Sequence, residues 1–504
     1  MPYCLSWPVC ILSILLLTAE SGFGIENLNP SSYILARGPL KVSGANPRYF
    51  ADDNGKAVYL TGSHTWDNFV DWGAPTPNFD YSAYLNFLQA HSHNLIRLWV
   101  HESSHLISGA ETSISPLPWQ RIGPGIAYDG KPKFDLEKFN PDFFDRLRTR
   151  IIDAQQHGIY VSIMLFNKFF HWPTHPFNSR NNINRLDGDL NGNGDGREIH
   201  TLSSSAVTAV KESYVQKVID TVNDLDNVLY EIGNELRRDT IEWQYHMINF
   251  IHTYEAALPK QHPVGMTSTG GGPEATTNAE LIHSPAEWIS PRTEPDQDYS
   301  YDPPVADGSK VIISDTDHLW GVLGDPTPQW VWKSFLRGLN PILMDVIQNR
   351  APGHEEKWND PTRPSLSIAR RAMGHTLNYT ARADLATMVP LPNLSSTKYC
   401  LADPGAQYLI YVPSQGLIKG RGYGVVHWLS ELSHESRVLQ GLFQFIGLNE
   451  TVAVDLSTAS GRFNVEWFSP ATGETVITAK SIGGTIQEFT APFPGDAVLY
   501  IYRN

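Results

Sequence analysis

Cysteine is nearly absent from this chain. Three occur in 504 residues, and two of them, Cys4 and Cys10, fall within the first 24. Cys400 is left alone, so no internal disulfide is expected and the size of the core must supply stability. Basic residues are in deficit: 38 Lys and Arg stand against 53 Asp and Glu, a formal net charge of −15. A phosphate backbone requires the opposite balance, which excludes nucleic acid as an expected partner. Long apolar runs are missing as well. The one strongly apolar segment, CILSILLLTA within residues 1–24, is short for a bilayer and is followed by small residues. That is the form of a secretory signal, although no Lys or Arg precedes it. The expectation is a leader over 1–24, no transmembrane span in the mature chain, and a secreted or cell-envelope location. His64, His101 and His318 are spread over different expected strand ends, so these three do not share the close spacing of a metallohydrolase's ligand set.

What the chain does have is apolar and aromatic residues, 41% and 11%, enough for a sizeable core. Short apolar runs alternate with helical patterns from about residue 45 to 350. The expected strands are 58–63, 94–100, 159–166, 227–235, 263–269, 287–290, 310–315 and 341–347; amphipathic stretches at 81–92, 143–158, 204–224 and 240–258 lie between several of them. Several strands are continuously apolar, as in a parallel sheet covered by helices. Eight such strands predict an α/β fold of the (β/α)₈ TIM-barrel type over 40–385, with an open doubly wound sheet as the alternative. After residue 395 the texture changes to short strands separated by turns such as PATGE, which predicts a small all-β sandwich over 395–504. Sequons stand at Asn378, Asn393 and Asn449.

Two strand ends carry chemistry. VLYEIGNE places Asn234 and Glu235 at the end of the fourth strand, and KVIISDTDHLWG places Asp315, Asp317, His318 and Trp320 at the end of the seventh. In a barrel both ends open on the same face. Glycosidic-bond hydrolysis needs two carboxyl groups flanking one bond, so Glu235 and Asp315 are the expected catalytic pair, with Asp317 in reserve. Arg97, near the end of the second strand, is placed to hold a carboxylate ionised. Asn234, Asp317, His318, Trp320, Trp66 and His101 are the expected substrate-binding residues.

These stretches resemble the clan A glycoside hydrolases, and more narrowly an apiosidase-like bacterial group. The resemblance rests on RYFADDNGKAVYLTGSHTWDN, SHNLIRLWVHE, GREIHTL and SDTDHLWG with SFLRGLNPILMD, within about residues 45–350. It implies a retaining glycosidase with the acid/base after strand four and the nucleophile after strand seven. The usual nucleophile there is Glu, whereas this chain has Asp315, one methylene shorter. The C-terminal region is similar to a module labelled collagen-binding in such proteins.

Residues 187–198 read DGDLNGNGDGRE and fill every slot of the EF-hand loop pattern: Asp187, Asp189, Asn191, Asn193 through its carbonyl, Asp195 and Glu198, with Gly192 at the turn. No helix pair is expected around the loop, so the expectation is a structural Ca²⁺ that steadies a long loop after strand three. The sequence therefore predicts a secreted glycosidase acting on an oligo- or polysaccharide. The alternative is a non-catalytic carbohydrate- or matrix-binding protein with a degenerate barrel.

Overall fold

Eight strands run parallel, each ending on the same face: β1 (Gly62–His64), β2 (Leu95–Leu98), β3 (Tyr160–Asn167), β4 (Val228–Asn234), β5 (Val264–Thr267), β6 (Trp288–Ser290), β7 (Val311–Asp315) and β8 (Asn340–Met344). The computed structural model describes residues 35–73, 79–106, 113–268, 272, 274–320, 326–348, 364–414 and 449–503. The expected leader at 1–24 lies outside them. Each strand from β2 to β8 pairs with the next, and β8 pairs with β1. The seam between β1 and β2 is closed by the Asn94 and Leu95 amides, which both donate to the Thr61 carbonyl at 2.9 and 3.1 Å. Gly62 permits this approach: a Cβ there would lie 2.1 Å from the Leu95 carbonyl oxygen. The sheet is therefore a TIM barrel and not the open doubly wound alternative.

The crossovers follow from local sequence. Helix α1 (Tyr81–Ala90) is capped by Asp80, and α2 (Pro141–Gln156) by Asn140 with Pro141 in its first turn. Helix α2 buries Phe143, Phe144, Leu147, Ile151 and Ala154 on one face and stops before Gly158, whose φ is +71°. Helix α3 (Ser205–Val222) is capped by Ser204, and α4 (Ile241–Glu255) follows β4. Helix α5 (Asn278–His283) has a capping box made by Thr277 and Glu280. The β6–β7 connection, 291–310, contains no helix. Helix α6 (Pro328–Leu336) leads into β8, and α7 (Pro364–Thr380) completes the ring. An antiparallel hairpin, Trp119–Ile126 with Pro132–Phe139, is inserted before α2. Among the described residues no helix is long and apolar enough to cross a membrane.

The barrel interior is divided. Its lower half is apolar: Leu60, Leu95, Tyr160, Leu229, Trp288, Val311, Ile313 and Ile342 pack with Leu40 and Phe50. Phe50 belongs to a small antiparallel sheet at 41–58, and Leu40 immediately precedes that sheet. The upper half, at the strand C-termini, is polar and holds the site.

The β-rich region begins at Val389, six residues before the expected boundary. Its antiparallel sheet contains β9 (Val389–Pro390), β10 (Cys400–Asp403), β11 (Gln407–Val412), β12 (Arg462–Phe468), β13 (Thr475–Ile477), β14 (Ser481–Ile482) and β15 (Ala497–Tyr502). One face, with Ala402, Tyr408, Ile410 and Val465, packs on Val452 and Val454 of a separate two-stranded ribbon. The other, with Leu401, Leu409, Tyr411 and Tyr500, packs on Trp332 of α6 and Met373 of α7. Both faces are covered, which is why β11 and β15 read as unbroken apolar runs. The described residues from 35 onward form one compact unit.

Candidate active site

Arg97 is the centre of the polar layer. It stands second from last in β2 and is 2% exposed. Its Nε and Nη2 donate to the two carboxylate oxygens of Glu231 at 2.8 and 2.6 Å. Nη2 also reaches Asn234 Oδ1 at 2.9 Å, and Nη1 reaches Asp315 Oδ2 at 2.9 Å and Asp317 Oδ2 at 3.1 Å. One guanidinium thus ties the ends of β2, β4 and β7 together, using the planar fork that Lys lacks.

Asp315 closes β7 and is fully buried. Besides Arg97 it accepts from His64 Nε2 at 3.0 Å and from the Asp317 amide at 2.9 Å. Burial pushes its carboxyl toward the neutral acid, but His64 and Arg97 outweigh that and hold it well below the usual carboxylate range. The His64 tautomer follows from its other partner. Trp99 Nε1 lies 2.9 Å from His64 Nδ1, and an indole can only donate. Nδ1 is therefore the acceptor and Nε2 carries the hydrogen given to Asp315.

Asp317 sits one short turn further on, within Thr316–Leu319. Burial, and then the negative charges of Glu235 and Asp315, raise its carboxyl well above the ordinary value against the pull of Arg97. The two carboxyls of the β7 end are thus driven apart, Asp315 to the anion and Asp317 to the acid. His318 Nδ1 pairs with Ser290 Oγ at 2.7 Å, and burial lowers its imidazole to about 3.

Glu235 follows β4 with a φ of +50°, the left-handed region uncommon for a non-glycine residue. Its Oε2 accepts from Lys168 Nζ at 2.7 Å, and its side chain is 16% exposed. Asn234 links it in sequence to Arg97, and through Arg97 to Asp315.

The aromatic expectations divide. Trp66 lies edge-on to Trp99, with centroids 6.3 Å apart, beside the His64 corner. His101 is buried against Trp72, and burial lowers it to about 4. Trp320 departs from the expectation: its ring packs on Trp330 of α6 and on Tyr301 at 5.3 and 5.8 Å, in the layer facing the β-rich region. The turn Thr316–Leu319 rotates it away from the carboxylates. Asp345 is bound by Arg370 Nε at 2.8 Å and serves as a structural anchor for α7.

Several residues of the site carried no motif. Glu231 has one signal, an acid inside the apolar run VLYEIGN. Trp99, Lys168 and Ser290 had none. Glu102, beside His101, accepts from His200 Nε2, Lys211 Nζ and the Asn167 amide at 2.8, 2.9 and 3.0 Å. It pins the end of β3 and helix α3 to the loop after β2.

The loop 187–198 lies between β3 and α3. Asp189, Asp195 and Glu198 each offer a carboxylate oxygen within 4.8 Å of the others. Asp189 Oδ1 and Glu198 Oε2 are buried without a hydrogen-bond partner, a donor set suited to a hard cation. Gly192 has a φ of +71°, as the turn requires. Asn193 Oδ1 is occupied by the Asp195 amide at 2.9 Å, leaving its carbonyl as the expected ligand. Asn191 bonds Glu198 through its amide. Asp187 is turned toward Ser179 and the Asp189 amide, at 2.6 and 3.2 Å, outside the carboxylate trio.

A TIM barrel with a trailing β-rich domain and carboxyl groups at the ends of β4 and β7 has a glycoside hydrolase-like fold. Solved structures agree on that fold. One described as a glycoside hydrolase matches 93% of this chain and 97% of its own, at 13% identity and a TM-score of 0.54. A glycoside hydrolase of family 5 from Bacteroides vulgatus matches 92% and 93%, at 14% identity and a TM-score of 0.53. A family model described as a domain of unknown function, DUF6298, matches residues 112–278, the segment that holds β3, the 187–198 loop and Glu235. Comparison with curated proteins returns no match.

Proposed function

We propose that the protein is a retaining glycoside hydrolase in which Glu235 is the acid/base and Asp315 the nucleophile. The observation that carries this reading is the Arg97 bridge, with Asn234 on one side and Asp315 on the other. A nucleophile must be ionised, and Arg97 and His64 keep Asp315 so. The acid/base must exchange protons at the substrate, and Glu235 is the more open carboxyl, facing Lys168. Asp317, favoured as the neutral acid, can donate a hydrogen bond and remains the reserve nucleophile. The substrate is a sugar chain, and the protein acts outside the cytoplasm. On its sequence resemblance we read it as a member of the apiosidase-like group, with the C-terminal domain as a collagen-binding-like accessory module. Calcium held by Asp189, Asp195 and Glu198, with the Asn193 carbonyl, steadies the loop beside the site.

The test is a glycan panel with the full chain, followed by NMR of the first-formed anomer. Retention with activity lost in both Glu235→Gln and Asp315→Asn supports the assignment. Full activity in either variant, or an inverted product, overturns it; activity lost in Asp317→Asn but kept in Asp315→Asn moves the nucleophile to Asp317.

A further inference from the structure

A cavity of about 500 Å³ opens beside Glu235, on the β3–β4 side of the barrel mouth. It lies away from the His64 corner where Trp66 and His101 sit. Its lining includes Lys168, whose ammonium is bonded to Glu235. The neighbouring Phe169 is half-buried and lies under that ammonium, 4.8 Å from ring centroid to Nζ. Asp195 and Arg197 of the 187–198 loop line the cavity too, as do Arg237 and Glu274.

The charges of this cavity are already matched in pairs. Lys168 meets Glu235, Arg197 meets Asp195 at 3.2 Å, and Arg237 is bonded to Asp239 through Nε and Nη2, both at 3.1 Å, with its Nη1 3.1 Å from Glu274. A phosphate or carboxylate ligand would find every cation occupied by an acid. A hydroxyl both donates and accepts, so an Arg–carboxylate pair offers it a partner in each direction. A ring face beside such pairs completes the mixture of apolar and polar surface that a neutral sugar ring presents. The volume is within the range of ligand sites.

We infer that this cavity is a subsite for a neutral sugar residue on the Glu235 side of the scissile bond. The inference rests on the glycosidase reading for its place in the reaction but not for its binding chemistry. The loop 187–198 then has a direct part in recognition, since it lines the subsite.

The experiment uses the full chain carrying Asp315→Asn, which leaves the Lys168–Glu235 pair of the cavity intact. The probes are neutral gluco-, manno-, galacto- and xylo-oligosaccharides, with oligogalacturonate and inorganic phosphate as the charged alternatives. Calorimetry is expected to show binding of at least one neutral probe. Phe169→Ala and, separately, Arg237→Gln should weaken it roughly three- to tenfold, the ratio carried by one lost ring contact. Hydrogen exchange on the unsubstituted chain should show protection at 168–172 and 194–197 when that probe is added, a readout that does not depend on the variants folding. Binding without cleavage by the unsubstituted enzyme leaves the subsite standing and removes the glycosidase reading. Cleavage that proceeds with no protection of these segments overturns the subsite and leaves that reading. Preference for oligogalacturonate or phosphate in the cavity, or no neutral probe bound, also overturns it.

Discussion

Arg97 and Glu231 face each other inside the barrel through two hydrogen bonds of 2.8 and 2.6 Å, and neither side chain is more than 2% exposed. Glu231 takes one edge of the guanidinium, which leaves Nη1 to Asp315 and Asp317. Removing Glu231 takes two charge-assisted hydrogen bonds from the buried guanidinium, whose charge Asp315 still faces, a cost of about 1.5–3 kcal/mol for each bond. Glu231→Ala is expected to lose that much in urea unfolding. It should also lower kcat, because Arg97 is then free to turn away from Asp315. A variant with stability within about 0.5 kcal/mol of the parent would show that Arg97 is held by other contacts.

Trp99 acts at one remove. Its indole fixes the His64 tautomer that donates to Asp315. Trp99→Phe keeps the ring and deletes the donor, leaving His64 Nδ1 unpaired or letting the other tautomer form. An unmade buried hydrogen bond costs about 1–3 kcal/mol, which corresponds to roughly a 5- to 150-fold loss in kcat if it falls on the transition state. KM is expected to change little, since Trp99 is buried. A loss confined to KM would place Trp99 in substrate contact instead.

Acid should unfold this protein from the histidine range downward. Burial lowers His93, His175 and His318 to about 3 and His101 to about 4. An unfolded histidine titrates near 6.5. Below that value the unfolded chain binds protons that the folded one refuses, so the stability present above about pH 6.5 is lost as pH falls toward the folded values. Each histidine contributes a slope of about 1.4 kcal/mol per pH unit in that window. His93→Gln can still donate to the Arg370 carbonyl that His93 Nε2 reaches at 3.0 Å. Urea unfolding between pH 6 and 4 should show its slope flattened by about one such increment. An unchanged slope would mean that His93 is protonated in the folded state.

Calcium should stabilise the chain. Ion binding to the folded state alone adds RT ln(1 + [L]/Kd), about 2.7 kcal/mol at a hundredfold excess over Kd. The melting temperature is therefore expected to rise with Ca²⁺ and fall with a chelator, and Glu198→Gln should abolish the difference. Glu198 is the right residue to change, because its Oε2 is one of the two buried carboxylate oxygens without a donor. A melting temperature indifferent to both additives would leave the loop as a polar turn held by its own hydrogen bonds.

The barrel was legible because its signal is local. Strands β3 to β7 are largely apolar runs ending in a polar residue, and each of the first four crossovers carries the helical period. The carboxylates at the ends of β4 and β7 were legible for the same reason. What sequence could not supply was direction. Trp320 follows Asp315 closely in the chain, yet one short helical turn sends its ring to Trp330. Glu231 hides in an apolar run because its partner, Arg97, lies 134 residues away. The Trp99–His64–Asp315 chain likewise joins three strands whose proximity only barrel closure creates. The first strand of the β-rich region, Val389–Pro390, carried no signal because two residues are too few to show alternation.

A charged anchor at the junction between barrel and β-rich domain separates two kinds of coupling. Glu466, on β12, accepts from both terminal nitrogens of Arg382 at 2.8 and 2.7 Å and from the Tyr379 hydroxyl at 3.0 Å. Around it the contact is apolar, with Trp332 stacked on Tyr411 and Tyr379 against Phe468. Glu466 is buried, whereas the Arg382 side chain is 43% exposed. Loss of the carboxylate thus leaves Arg382 in water and strands only the tyrosine hydroxyl. Glu466→Leu should then cost about 1–3 kcal/mol, the penalty of an unpaired hydroxyl, and not that of a stranded charge. The apolar contact should keep the two parts melting as one calorimetric transition. Two separated transitions in Glu466→Leu would show instead that this carboxylate, and not the aromatic layer, makes the domains unfold together.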